Sequence, residues 1–316
     1  MKYKHVSVML EEVLEFIDLQ VGDKVVDCTL GGAGYTTVFS EKVGSTGKVF
    51  SFDLDSLAIR NAEKLIKDSK IENITLINDG FDNLAARLLE KNENSGFKAV
   101  VMDLGLSSAQ LDDAKRGFSF LHDTPLDMTF GGTGEDHNRT QEIVNYTSDR
   151  ELEKIISQYG EEKFARRIAN AIVLARKETE IKRTKQLLDI IKEAIPGSYI
   201  KTSRIHFATK TFQALRIASN DELLRLEKVL PAALDILAVG GKLAVVSFHS
   251  LEDRIVKQFF KKESRDCICP PELPICRCEH QSRIKIITKK PISASPLEIK
   301  TNPRARSAKL RMGEKK

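Results

Sequence analysis

The sequence predicts an α/β fold: a parallel sheet of about seven strands, covered by helices on both faces and interrupted by a helical insertion. Three observations carry this expectation. Through residue 104, short apolar runs alternate with longer amphipathic ones. From roughly 112 to 200 there are helix signals and no strand signals. Beyond that the alternation resumes.

Residues 24–28 read as a buried strand, followed by the glycine turn Gly31-Gly32-Ala33-Gly34 and a helix through Lys42. Residues 48–52 form a second strand that ends at Asp53. Residues 56–67 place Leu57, Ala58, Ala62, Leu65 and Ile66 on one helical face. A third strand at 74–77, a helix at 84–90 and a fourth strand at 99–104 complete the first half. Residues 112 to about 140, rich in Asp, Gly and Thr, read as a long loop. Ser148-Asp149-Arg150-Glu151 is a capping box that opens a helix. Helices at 162–176 and 185–195 follow, the latter stopped by Pro196-Gly197. Residues 207–217 and 221–238 are helical, Gly240-Gly241 turns the chain, and 242–248 is a strongly apolar strand with its helix at 251–262. Residues 283–288 and 308–312 suit a closing pair of strands. Residues 1–111 and 201–316 are thus expected to form one discontinuous domain, with 112–200 inserted as a helical one.

The composition, 41% hydrophobic and 30% charged over 316 residues, is that of a globular chain with a sizeable core. No apolar run reaches the roughly 18 to 20 residues of a membrane span, and the N-terminus lacks a secretory pattern, so a cytoplasmic protein is expected. The net charge of +5 is unevenly spread: residues 283–316 hold eleven Lys or Arg and two Asp or Glu. A basic terminal segment on a mildly acidic body suits a polyanionic partner at one edge, or a solubilising tail. Cys28 stands alone, whereas Cys267, Cys269, Cys276 and Cys278 form two Cys-x-Cys pairs followed by His280. Four thiols so close suggest zinc. The single-residue spacers make one tetrahedral site hard to close, and Pro270, Pro271 and Pro274 fit a stiff surface loop, so a metal-free loop is the expectation.

A strand, glycine turn and helix bring backbone amides close to a ligand, and a carboxylate at the tip of the next strand, here Asp53, accepts from ribose hydroxyls. The turn does not match the G-x-G-x-x-G spacing that suits a pyrophosphate. An acidic residue at the preceding strand end favours a cationic, phosphate-free ligand, such as S-adenosylmethionine.

Longer strings are more specific. They are His5-Val6-Ser7-Val8-Met9-Leu10, Val101-Met102-Asp103-Leu104-Gly105-Leu106-Ser107-Ser108-Ala109-Gln110-Leu111-Asp112, Arg116-Gly117-Phe118-Ser119-Phe120 and Pro125-Leu126-Asp127-Met128. Further along come Tyr159-Gly160-Glu161-Glu162, Thr211-Phe212-Gln213-Ala214-Leu215-Arg216-Ile217, Ser247-Phe248-His249-Ser250-Leu251-Glu252-Asp253-Arg254 and the run from Asn302 to Arg311. Together they closely resemble the MraW family of bacterial 16S rRNA cytosine-N4 methyltransferases over nearly the whole chain. The resemblance implies a Rossmann-type S-adenosylmethionine methyltransferase domain with a helical substrate-recognition domain inserted after its fourth strand. It implies cofactor contacts at Ala33, Gly34, Tyr35, Asp53, Phe81, Asp103 and Gln110, and 16S rRNA in the small ribosomal subunit as the partner. Two departures stand out. The family turn usually ends Gly-Gly-His-Ser, where this chain has Ala33-Gly34-Tyr35-Thr36, and Thr129 replaces the usual arginine after Asp127-Met128. Ala33 fits the turn if its φ is negative, and Tyr35 is expected to begin the helix.

The N4 amine of cytosine is a poor nucleophile, so transfer needs in-line positioning and acceptors that draw on the N–H as the nitrogen becomes tetrahedral. Asp103, Ser107, Ser108 and His249 are the candidate catalytic residues. Asp103 lies at the end of the fourth strand and serves either the cofactor or the N4–H. Ser107 and Ser108 either meet the base or form a turn. His249 contacts the nucleotide or satisfies a backbone group. Phe118 and Phe120 are core residues or base-stacking platforms. Arg304, Arg306, Lys309 and Arg311 are expected to present charge from a terminal strand to RNA phosphates. A DNA amino-methyltransferase would carry a Pro-Pro-aromatic string where Leu104-Gly105-Leu106 stands, and no DNA or membrane partner is expected. An assembly factor without turnover is the reading from another class. A dimer is left open.

Overall fold

The computed structural model describes residues 7–107, 110–111, 116–120, 122–131, 138–203, 205–270, 272–273 and 275–316. The chain divides into two compact units, the first comprising residues 1–107 and 223–316 and the second residues 108–222. The second runs past the expected boundary at 200 because the helix that follows packs on its own helical neighbours.

In the first unit, an amphipathic helix α1 (Leu10–Ile17) precedes β1 (Lys24–Asp27), α2 (Gly34–Val43), β2 (Lys48–Phe52), α3 (Ser56–Asp68), β3 (Ile74–Ile77), α4 (Leu84–Glu90) and β4 (Phe97–Asp103). The second unit supplies α5 (Arg139–Tyr146), α6 (Asp149–Gly160), α7 (Ala165–Glu178), α8 (Thr184–Ala194), the short α9 (Gly197–Thr202) and α10 (Thr209–Asn220). The chain returns through α11 (Glu222–Ile236), β5 (Leu237–Ser247), α12 (Ser250–Glu263), β6 (Ile284–Ile286), β7 (Ile292–Ser293), α13 (Pro296–Thr301) and β8 (Lys309–Lys315).

The sheet has eight strands in the order β3-β2-β1-β4-β5-β8-β6, with the two-residue β7 also paired to β8. Strands β1 to β5 are parallel, and β8 is antiparallel to both β5 and β6. This α/β architecture with a doubly wound sheet is the one the sequence predicts, with one strand more than expected because β7 is too short to leave an apolar pattern. Alternation along the strands divides the core. Val26, Val100 and Val245 face a cluster with Leu88, Leu230 and Phe260, whereas Val25, Val101 and Val246 face one with Val13, Phe39 and Ala305. At about 25 cal/mol per Å² of apolar surface, burial on both faces is the main stabilisation of the sheet.

Gly240-Gly241 is not the expected turn. Both residues lie within β5, where the pairing with β4 shifts register between Phe97 and Ala99. A Cβ on Gly241 would stand 2.8 Å from the Phe97 carbonyl oxygen, so glycine permits the irregular pairing. No helix among the described residues is long and apolar enough to cross a membrane.

In the second unit, several of the quoted strings pack on one another. Gly117 adopts φ 70° and would place a Cβ 2.4 Å from the Pro125 carbonyl oxygen. Asn220 donates to Met128 O and accepts from the Phe130 amide. Thr129 donates its hydroxyl to Asp127 Oδ1 at 2.6 Å. Gly160 closes α6 against α10: its Cβ position lies 2.6 Å from Lys210 O, and Gln213 Nε2 donates to Tyr159 O beside it. Gly160→Ala is therefore expected to force the two helices apart and destabilise the fold by about 1–3 kcal/mol. Denaturant unfolding measures this, and an unchanged midpoint would contradict the close approach.

Candidate functional site

Parallel strands deliver their carboxyl ends to one edge, and the crevice there opens where strand order reverses, between β1 and β4. The pieces of this edge are tied by backbone and side chain. Cys28 N donates to Val101 O at 2.8 Å, and the amide of Asp103 donates to Thr29 Oγ1 at 2.8 Å. Asp27, fully buried at the end of β1, accepts from the Thr29 amide at 3.0 Å and the Thr36 hydroxyl at 2.6 Å. Burial raises its pKa against these bonds. Asp27 therefore holds the turn to the start of α2 and has no oxygen turned to a ligand.

Asp53 sits just past β2, half-buried. Its Oδ2 accepts from the Gly31 amide at 2.9 Å and its Oδ1 from the Asp55 amide at 2.8 Å. Burial pushes its pKa up to about 6, the two amides opposing that rise. Each oxygen of an ionised carboxylate has a second lone pair, so hydroxyl donors are still accommodated.

Asp103 is different. It accepts from the Val8 amide, but its Oδ1 is buried with no partner among the described residues. Burial first, then the charge of Asp27, hold it well above the usual carboxylate range. A buried carboxylate with an unsatisfied oxygen is costly and is restored to its ionised form by a cation or N–H donor. The edge is thus acidic and fit to receive positive charge.

The glycine turn corrects two expectations. Ala33 has φ 62°, the left-handed region and not the negative φ expected, because it caps α2 while its amide reaches back to Leu30 O at 2.7 Å. A left-handed alanine costs about 1–2 kcal/mol, a strain that glycine would not carry. Tyr35 does lie in the first turn of α2, but its ring is 2% exposed, packs 5.6 Å from Phe39, and donates its hydroxyl to Val8 O. Only its backbone remains for a ligand. At Gly34 a Cβ would fall 2.0 Å from Ser7 Oγ, so this glycine admits the N-terminal segment.

That segment was missed as part of the site. Val8 contacts both Asp103 and Tyr35, the Met9 amide donates to Glu298 Oε1 at 2.8 Å, and Ser7 Oγ is buried without a partner among the described residues. The string from His5 to Leu10 carried a signal, but only the fold shows what it touches. His5 itself lies outside the described residues.

The other candidates separate. Phe81 opens a single 3-10 turn after β3 and packs, half-buried, against the core. Ser107 follows Asp103 in the loop after β4; Ser108 lies outside the described residues. Gln110 is 6% exposed and belongs to the second unit. The His249 ring caps α12: Nδ1 accepts from the Glu252 amide, while Nε2 stands 3.0 Å from Glu252 Oε1. Glu252 Oε2 in turn accepts from the amides of Phe248 and His249. Phe118 stacks on Phe130 at 5.7 Å and Phe120 on His206 at 4.5 Å, so both aromatics are engaged within the helical unit.

A sequence profile of the MraW methylase family matches residues 2–316. The chain belongs to that family. Its relatives include the ribosomal RNA small subunit methyltransferase H of Heliobacterium modesticaldum, 42% identical over 315 residues, covering 100% of this chain and 99% of that one. The proteins of the same name from Clostridioides difficile and Citrifermentans bemidjiense are 43% identical, with 100% of each chain covered, and 45% identical, with 99% of each covered. For an MraW methylase, the basic C-terminal run is a natural candidate for RNA contact, and here the expectation of a charged strand needs correction. Arg304 and Arg306 lie in a 3-10 turn, Pro303–Ser307, with both side chains exposed. Arg311 is 7% exposed and forms a forked pair with Asp253 at 2.6 and 3.2 Å, joined by Lys309 at 3.8 Å. Arg311 therefore serves the fold and not a phosphate. Arg311→Ala leaves Asp253 with only Lys309 at 3.8 Å and is expected to destabilise the protein by about 2–3 kcal/mol, without changing the salt slope of RNA binding. A lowered slope with unchanged unfolding would reverse the assignment.

Proposed function

We propose that this protein transfers a methyl group from S-adenosylmethionine to the N4 amine of one cytosine in 16S rRNA, acting in the cytoplasm on the small ribosomal subunit. Relatives named as small-subunit rRNA methyltransferases, similar along their full lengths, support methylation of that rRNA. The observation that carries the chemistry is Asp103 Oδ1 at the carboxyl edge of β4, buried with no partner among the described residues.

The residues present fit this cofactor, which has an ammonium, a sulfonium and no phosphate. The edge offers two carboxyls, Asp53 and Asp103, and a helix N-terminus, and its turn lacks pyrophosphate spacing. When bound, the cofactor supplies an electrophilic methyl group. Asp53 accepts from its ribose hydroxyls through the lone pairs that Gly31 and Asp55 leave available. The first-turn amides of α2 approach it through backbone alone, and Phe81 supplies an apolar wall for the adenine. Asp103 holds the cationic end of the cofactor. Proximity and orientation, not a strong base, account for the rate, because the attacked nitrogen becomes acidic only as its new bond forms. Ser107 and Ser108 follow Asp103 and are the candidates to meet the base. His249 acts as a positioning residue through its cap on α12.

The helical unit of residues 108–222 is the substrate-recognition module in this reading. Recognition by shape suits structured RNA, whose deep major groove hides base edges. A base already unstacked by the folded particle saves the few kcal/mol of flipping a paired one. The test treats small subunits, naked 16S rRNA and a short oligonucleotide with labelled cofactor and identifies the product nucleoside by mass spectrometry and chromatography. N4-methylcytidine, formed fastest in the particle, is expected. 5-methylcytidine would overturn the chemistry, and equal rates on the oligonucleotide would overturn the particle requirement.

A further inference from the structure

The loop joining α12 to β6, residues 264–283, is long for one with no helix or strand among its described residues. Its base is closed by Arg283 N donating to Glu263 O at 2.8 Å and Ser282 N to Asp266 Oδ1 at 3.2 Å. Beyond that base it has little core of its own: Ile268 is 39%, Leu273 44% and Ile275 73% exposed. Something other than apolar burial must hold it in shape.

The four thiols of this loop converge. All of their sulfurs lie within 4.8 Å of one another. Cys276 Sγ is 3.6 Å from Cys278 Sγ, and Cys278 Sγ is 3.9 Å from Cys267 Sγ. A tetrahedral zinc ion with Zn–S bonds of ~2.3 Å places its sulfurs ~3.8 Å apart, so these separations bracket the required one. They are far longer than the ~2.05 Å of a disulfide bond. An iron–sulfur cluster spreads its four cysteines over a wider cage, so the spacing selects a single ion.

The single-residue spacers, which argue from sequence for a metal-free loop, turn out to have a use. The middle residue of each Cys-x-Cys arm donates its amide to a sulfur of the other arm: Ile268 N to Cys278 Sγ at 3.4 Å, and Arg277 N to Cys269 Sγ at 3.4 Å. Such N–H···S bonds stabilise thiolates and orient them as ligands from outside the coordination sphere. Two arms that each contribute a pair of sulfurs and one cross-donated amide make a closed four-sulfur cage. His280 stands outside the converging group, its Nε2 3.2 Å from Lys262 O.

We propose that Cys267, Cys269, Cys276 and Cys278 bind one structural zinc ion that fixes the loop between α12 and β6. The thiols lose their protons to solvent as the ion binds, and with no open coordination position the ion takes no part in methyl transfer.

The experiment measures metal in the full-length protein, purified under reducing, chelator-free conditions, exposed to excess zinc and desalted, by inductively coupled plasma mass spectrometry. About one zinc per chain is expected. Cobalt substitution should give the intense d–d bands and thiolate charge transfer of a tetrahedral four-sulfur site. The double variant Cys276→Ser/Cys278→Ser should lose the metal and become susceptible to proteolysis in this loop, while still binding the cofactor. His280→Ala should retain the metal. Protein that holds no zinc after reconstitution, a double variant that keeps it, or thiols found as disulfides in the reduced preparation would each overturn the proposal.

Discussion

The carboxyl of Asp103, held under cover with one oxygen that no described residue satisfies, is the constraint on which the functional edge depends. Its backbone is fixed by Thr29, its other contact comes from Val8, and its pKa is raised by burial and by Asp27. Left alone, such a group costs free energy of the order of 1–3 kcal/mol. A fold tolerates that cost where a ligand removes it. The parallel order of β1 to β5 places the carboxyl there, and the antiparallel β8 and its neighbours complete the sheet beyond β5.

Around it, protein structure occupies much of what glycine-rich sequence suggests is ligand space. Gly34 admits Ser7, Asp27 is spent on Thr29 and Thr36, and the Tyr35 ring is in the core. Among the described residues, the proposed cofactor site is left with Asp53, Asp103, backbone at the head of α2 and the aromatic edge of Phe81. The set is acidic and free of pyrophosphate spacing, which is why a cationic nucleoside suits it.

Much of this was legible in the sequence. Period-two and continuous apolar runs located β1 to β4 closely, and the strand-tip position of Asp53 followed from them. The quoted strings identified the family. What the sequence did not disclose were pairings between distant residues. Nothing local distinguishes Arg311, buried against Asp253, from Arg306, exposed in a 3-10 turn. The positive φ of Ala33 is imposed by the return of its amide to Leu30, and the pairing shift that keeps Gly240-Gly241 inside β5 is a property of two strands. The Cys-x-Cys spacing, discouraging when read along one chain, becomes favourable only when the two arms face each other.

The proposed contact between Asp103 and the cofactor is open to test by titration calorimetry. Its raised pKa in the free protein must fall when a cation or donor pairs with it, so binding releases protons wherever the pH lies between the two values. S-adenosylmethionine is titrated over a series of pH values from ~5 to ~7, throughout which its amine is protonated, in buffers of different ionisation enthalpy. The wild type should release part of a proton, and Asp103→Asn should bind more weakly and release less. An unchanged affinity and an unchanged proton count in Asp103→Asn would contradict the claim.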